Sequence, residues 1–234
     1  FTDFMPLEQH PLLGVRYVQS THQLSTPDVL ILPGTKNTVD DLLWLRQCGL
    51  EAAVLKLAAQ GTPVLGVCGG YQMLGQTLAD PDGTESGTPQ TLHGLGLLPA
   101  VTTFTGSKHR TQDTAVVTAA PFAGAQLTGY QIHTGRTEVQ GTPFCHLADG
   151  TPEGCVQGNV SGTYLHGLFD TGELTEKLVD TLCRRKGLDP AGADVIPMEQ
   201  YRQQQFDLLA DGVRAALDMD AVYAAMGMTG GKRV

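Results

Sequence analysis

This 234-residue chain predicts an α/β fold, a mixed and largely parallel sheet flanked by helices with a nucleophile elbow after a central strand. Three observations carry that prediction. Strand and helix signals alternate through the first third with short connections, which implies right-handed crossovers and a parallel sheet. Asp28-Val29-Leu30-Ile31-Leu32 is an uninterrupted apolar run stopped by Pro33-Gly34, the pattern of a strand buried on both faces. Directly after the apolar run Thr62-Pro63-Val64-Leu65 stands Gly66-Val67-Cys68-Gly69-Gly70. A strand that ends in Gly-x-Cys-x-Gly and enters a helix turns so sharply that the nucleophile is strained, and only small neighbours tolerate the turn.

Taken in order, Gly14-Val15-Arg16-Tyr17-Val18 is a short β-rich run, followed by the strand over Asp28–Leu32. Asn37 or Thr38 caps the next helix, which carries Leu42, Leu43, Leu45, Leu50, Val54, Leu55 and Leu57 at helical spacing and breaks near Gly49. Gly61-Thr62-Pro63 closes it. The elbow helix is expected over Tyr71–Leu78, and Asp80–Gln90 has loop composition and is read as a surface excursion. Short β-rich segments follow at Gly96–Phe104, Thr114–Thr118, Leu127–His133, Thr137–Val139 and Val160–Leu165, separated by glycine turns. Helical patterning returns at Glu173–Lys186 and again from Met198 to about Leu217, where Phe206, Leu208, Leu209, Val213 and Leu217 form the expected core stripe. The chain reads as one domain over 1–234, with 1–12 a linker from a preceding domain and 229–234 a frayed tail.

Composition narrows the function classes. Net charge is −9 and the fifteen Lys and Arg are scattered, so no basic stripe marks a nucleic-acid partner. No apolar stretch approaches the roughly eighteen residues of a membrane span. The five cysteines, Cys48, Cys68, Cys145, Cys155 and Cys183, show neither disulfide nor zinc spacing. A cytoplasmic protein with free thiols and no bound metal is expected.

The elbow sets Cys68 at the start of a helix, where unpaired amides favour thiolate, and makes the amide of Gly69 an oxyanion donor. Pro33-Gly34-Thr35 supplies a second glycine turn at a neighbouring strand end, so the Gly34 amide is its natural companion. A thiolate needs a proton shuttle, and His166 in Gly162-Thr163-Tyr164-Leu165-His166-Gly167 is the strongest candidate among seven histidines. His133, in Gly129-Tyr130-Gln131-Ile132-His133, is the rival, with a loop-organising role equally open to it. Together these residues describe acyl transfer from an amide or ester to a thiolate.

The blocks Leu32-Pro33-Gly34-Thr35-Lys36-Asn37, Gly66–Gln72, Gly129–His133 and Gly162–Asp170, in that order, resemble the class I (triad) glutamine amidotransferases, whose fold is flavodoxin-like. The run from Leu32 to Leu74, with Asp40-Asp41-Leu42-Leu43-Trp44-Leu45, looks more closely like the glutaminase domains of the cobyric acid synthase family. That resemblance implies that Cys68 attacks the side-chain amide of L-glutamine and that His166 moves the protons. It implies further that Gly34 and Gly69 form the oxyanion hole, that Gln72 holds the glutamine, and that Arg110 pairs its α-carboxylate. His133 falls among the substrate-binding candidates. The family's preceding ATP-binding domain uses ATP and Mg²⁺ to activate carboxylates of a corrinoid, adenosylcobyrinic acid a,c-diamide, and no Gly-x-x-x-x-Gly-Lys-Ser/Thr loop occurs here. This chain is therefore expected to carry no cofactor and to need that synthetase domain as partner.

Many class I members place Glu two residues after the histidine, where this chain has Leu168. A Cys-His dyad, recruitment of Asp170, or an acid borrowed from a partner are the alternatives, and an under-oriented imidazole with low basal activity is the expectation. Competing readings are the glutaminase subunit that partners a Mur-ligase-like protein on a peptidoglycan precursor (lipid II), a thiol hydrolase, and a non-catalytic docking module.

Overall fold

Three parallel strands and one antiparallel neighbour make the sheet on which the elbow is built. The computed structural model describes residues 2–191, 196, 198–229, 232 and 233. The chain packs as two compact units, Phe1–Ala193 and Asp194–Val234, where the sequence suggests one.

The first unit opens with a 3-10 turn, Thr2–Phe4, and helix α1, Met5–Glu8. Its first sheet joins β1 (Leu30–Leu32), β2 (Val64–Val67), β9 (Cys155–Gln157) and β10 (Val160–Thr163) in the order β1-β2-β10-β9, with only β9 antiparallel to its neighbour. Helices α2 (Thr38–Gln47) and α3 (Leu50–Ala59) lead from β1 to β2, and α4 (Gly69–Leu74) follows the elbow. As expected, Asn37 caps α2, accepting from the Asp40 amide, and left-handed Gly49 separates α2 from α3.

The second sheet contains β3 (Thr77–Asp80), β4 (Gln90–His93), β5 (Ala100–Val117), β6 (Gln126–Val139) and β11 (Leu165–His166), ordered β11-β6-β5-β3-β4. On its flank β7 (Cys145–Leu147) pairs with β5 and β8 (Pro152–Glu153) pairs with β7. All its pairings but β3 with β5 are antiparallel. The β-rich segments read separately are the two ends of one long hairpin, β5 and β6, whose register shifts between Thr103 and Lys108. Helix α5 spans Glu173–Lys186 as expected, acidic at its start, basic at its end and closed by left-handed Gly187.

Four expectations are corrected. Residues 14–18 form no strand. The elbow helix stops at Leu74 because Gly75 is extended, and Leu78, fully buried, belongs to β3. The 1–12 segment, read as a linker, is docked on the unit: Phe4, Leu7 and His10 are buried, and Phe4 packs on Phe169. In the second unit, α6 (Met198–Ala216) leaves Phe206, Leu208 and Leu209 about two-thirds exposed, because helical periodicity fixes a face without fixing what covers it. That unit also has α7 (Met219–Ala225) and a β12–β13 pair, Met228–Thr229 with Lys232–Arg233. Of the expected frayed tail, residues 230, 231 and 234 lie outside the described residues. Among those described, no helix is long and apolar enough to cross a membrane.

Glycines in register explain how α4 reaches the sheet. Leu32, Gly66 and Gly162 are neighbours across β1, β2 and β10. A Cβ on Gly66 would lie 2.6 Å from Leu74 Cδ1 and 2.7 Å from the Tyr71 amide nitrogen, and one on Gly162 would enter the Tyr71 ring. Side chains at this level would hold the helix off the strands and move the nucleophile with it.

Candidate active site

Among the described residues Cys68 alone combines a side chain with a positive φ, at φ 51° and ψ −109°. That is the strain the elbow requires, and it is confined there by packing: a Cβ on Gly70 would collide with the Leu32 carbonyl. The Cys68 amide donates to Thr163 O at 2.8 Å, tying the turn to the end of β10. Its sulfur lies 3.6 Å from the Ile132 carbonyl of β6.

His166 arrives from the other sheet. After β10 the chain passes through Tyr164 and joins β6 as β11, with His166 opposite Tyr130, whose ring stacks on the imidazole at 5.0 Å and 14°. Glu153 anchors this crossover, accepting from the Thr163 hydroxyl at 2.5 Å and the Tyr164 amide at 2.6 Å. Gly34 lies between the two side chains: a Cβ there would sit 2.9 Å from His166 Cε1 and 3.5 Å from Cys68 Cβ. Neither the Gly34 nor the Gly69 amide donates to another described residue, so both are available to an incoming oxygen.

The imidazole is not under-oriented. Nδ1–H of His166 donates to Asp3 Oδ2 at 2.7 Å, and the other carboxylate oxygen accepts the Gly167 amide at 3.0 Å. Leu168, at the position expected to hold the acid, is a buried core side chain. Burial disfavours the charged ring, but hydrogen bonding and charge from Asp3 and Cys68 outweigh it and hold the His166 pKa up at about 9. Burial opposes ionisation of Asp3 as well, and its bonds to His166 and Gly167 overcome that and lower its pKa.

His133 is a wall of the site and not its base. Its ring stacks on Tyr164 at 3.6 Å, and burial, with the charge of His109 adding to it, pushes its pKa down to about 4. Gln72 is only 3% exposed and is held by its neighbours: its carbonyl accepts the Thr38 hydroxyl at 2.8 Å, and its two amide hydrogens go to Thr134 O and the Tyr164 hydroxyl. Arg110 is exposed on β5 opposite Ile132, and its side chain pairs with no acid among the described residues.

Two residues escape sequence reasoning. Asp3 lies 163 positions from its partner in a stretch read as linker, and no local pattern marks it. Glu85 lies in the excursion after Asp80. That carboxylate, fully buried, gathers the amides of Thr84, Glu85 and Ser86 and folds the loop back over the site. Glu85 then accepts the Thr38 amide at 2.8 Å and the Thr134 hydroxyl at 3.0 Å. An excursion that opens on an Asp followed by Thr and Ser at turn spacing is the available signal.

A strained cysteine, an oriented imidazole and two uncommitted amides on an α/β frame suit nucleophilic acyl transfer by a cysteine, the chemistry of the cysteine-type glutamine amidotransferases. Known proteins agree. Residues 1–174 match the model of the CobB/CobQ-like glutamine amidotransferase domain, and the chain belongs to that family. It is 40% identical over 246 residues to a cobyric acid synthase of Lachnoclostridium phytofermentans, covering 97% of this chain and 48% of that protein. It is 44% identical over 239 residues to the cobyric acid synthase of Citrobacter koseri, covering 97% and 46%. The chain thus spans about half the length of these relatives. Among solved structures, PurLQS from Thermotoga maritima superposes with a TM-score of 0.57 at 18% identity, over 79% of this chain and 92% of that one. A structure described as a glutamine amidotransferase gives 0.53 at 19%, over 80% and 92%. At those identities the likeness bears on fold.

Proposed function

We propose that this chain is the glutaminase half of a cobyric acid synthase, releasing ammonia from L-glutamine for ATP-dependent amidation of adenosylcobyrinic acid a,c-diamide. The observation that carries the reading is the strained Cys68 facing an imidazole kept charged at neutral pH. The Cys68 thiolate attacks the side-chain carbonyl carbon of glutamine, and the amides of Gly34 and Gly69 receive the oxyanion. Imidazolium His166 gives its proton to the departing nitrogen, ammonia leaves, and a glutamyl thioester remains with neutral imidazole. His166 then takes a proton from water, hydroxide attacks the thioester, and glutamate leaves with thiolate and imidazolium restored. Acylation removes the influence of the Cys68 sulfur that helps hold the ring protonated, so His166 is ready as a base when the second step needs one.

An amino-acid substrate brings a carboxylate and an ammonium. Arg110 stands opposite Ile132 and its side chain has no acidic partner among the described residues, and Glu85 is bonded to Thr134, two residues farther along the same strand. This supports Arg110 as the α-carboxylate partner and Glu85 as the counterpart for the α-ammonium, with Gln72 and His133 shaping the wall. The synthetase half, with its ATP, Mg²⁺ and corrinoid, is the partner that consumes the ammonia, and relatives about twice as long as this chain support that fusion. The five free cysteines suit the cytoplasm.

The test is ammonia release from L-glutamine by the chain and by Cys68→Ala, with and without the synthetase half and its substrates. Release that falls at least about 10⁴-fold in Cys68→Ala is expected. Equal release by the two proteins would remove Cys68 from the reaction, and amidation of the corrinoid unaffected by Cys68→Ala in the full assembly would remove the nitrogen-donor role.

A further inference from the structure

We propose that Asp3 is the positioning residue of His166, and that the docked segment 2–8 therefore sets how well the imidazole works. The inference rests on the glutaminase reading and deepens it. The carboxylate bridges the ring and the backbone next to it, with Nδ1–H of His166 on one oxygen at 2.7 Å and the Gly167 amide on the other at 3.0 Å. Two bonds to adjacent points of one strand end fix the rotation of the ring and its tautomer together, leaving Nε2 as the atom that meets sulfur and substrate. Leu168, two places on from the ring, is core, and Tyr130 offers the imidazole its ring face. Both Asp3 and His166 are largely shielded from solvent, with side-chain exposures of 16% and 11%, so water screens the pair little.

Asp3 belongs to neither sheet. It is held by its neighbours, Phe4 buried against Phe169 and Leu7 buried in the same cluster. The orientation of a catalytic histidine on β11 thus depends on the docking of a segment distant in sequence. Anything in a longer polypeptide that pulls on residues 2–8 acts on the proton shuttle without touching substrate.

The experiment compares the full chain with Asp3→Asn, Asp3→Glu and Phe4→Ala, reading glutaminase kcat and KM against pH and the His166 titration by NMR. Asp3→Asn is expected to lower kcat by about 100-fold or more with KM within about threefold, because the wrong tautomer and a lost charge affect the proton steps and not glutamine binding. Its His166 midpoint should fall from about 9 toward the ordinary value, Asp3→Glu should restore part of both, and Phe4→Ala should move both in the Asp3→Asn direction. Wild-type kcat and an unmoved His166 midpoint in folded Asp3→Asn would overturn the proposal while leaving the glutaminase reading intact. If Asp3→Asn does not fold, the His166 titration in Cys68→Ala, where the sulfur contributes nothing, decides: a midpoint still raised supports the pair, and one at the ordinary value overturns it. A wild type that releases no ammonia but shows the midpoint shift on substitution would sink the glutaminase reading and spare the pair.

Discussion

The Cys68 side of the candidate site is local and the His166 side is assembled from afar. Cys68 owes its position to residues within six places of it plus the strand ends they pack against: Gly66 and Gly70 make room, α4 descends, and the strained φ follows. His166 owes its position to a crossover between two sheets, a buried Glu153 under that crossover, a tyrosine on the hairpin and an aspartate 163 residues away. A turn made by close packing tolerates almost no change in its glycines and little depends on charge. An imidazole held by a carboxylate tolerates small packing changes and depends strongly on charge and pH.

The largest expected effect tests the packed side. Gly70→Ala puts a methyl into the Leu32 carbonyl, where only backbone can give, and should cost at least about 3 kcal/mol or prevent folding, measured by urea denaturation. Gly34→Ala marks the boundary with the charged side. Its Cβ meets the His166 ring at 2.9 Å, and a ring held by Asp3 and stacked on Tyr130 must shift, so stability should fall by about 1–2 kcal/mol, less than in Gly70→Ala, while kcat drops about 100-fold. If both variants lost stability equally, the contrast between the two sides would fail.

Next in size is the pH dependence of stability contributed by the His166–Asp3 pair. The folded His166 pKa, about 9, lies above its ordinary 6.5, so this contribution is complete below pH 6.5 and is lost as pH rises through about 9. Asp3 has the opposite sign: its pKa is lowered, so its share is present above its ordinary 3.8 and is lost as pH falls through the lowered value. Because Cys68 supplies part of the shift and solvent screens part of the rest, the difference in unfolding free energy between wild type and Asp3→Asn should form a plateau on the order of 1 kcal/mol from about pH 4 to 6.5 and decline toward pH 9. A difference that stays flat from pH 6.5 to 9.5 would show that the ring is not held charged.

The same contrast explains what the sequence makes legible. Gly-x-Cys-x-Gly after an apolar run, the Asn37 cap and the 173–186 helix are short-range patterns whose physics is local, and each is found where expected. The long hairpin is legible only in pieces because the register shift between Thr103 and Lys108 interrupts the alternation that would join them. Asp3 and Glu85 stay hidden because their partners are fixed by tertiary folding, 163 and 47 to 49 residues away. Leu168 shows the converse: a position reserved for an acid by family pattern is filled by core once the acid arrives from elsewhere.

The smallest expected effect concerns the rim, where neither tight packing nor a buried ion pair operates. Arg110 is exposed, so its removal leaves no buried partner unsatisfied and should leave stability unchanged. If its guanidinium meets the α-carboxylate of glutamine, Arg110→Ala raises KM about tenfold with kcat nearly constant, since the contact is the same in ground and transition states. Lysine at the same position should recover only part of that loss, because a point charge cannot reproduce two parallel hydrogen bonds. The companion measurement uses a glutamine analogue with its α-carboxylate amidated, which should bind wild type and Arg110→Ala equally. A preference for wild type that survives removal of that carboxylate would move Arg110 from substrate binding to shaping the hairpin, and the rim would then resemble the packed side more than the charged one.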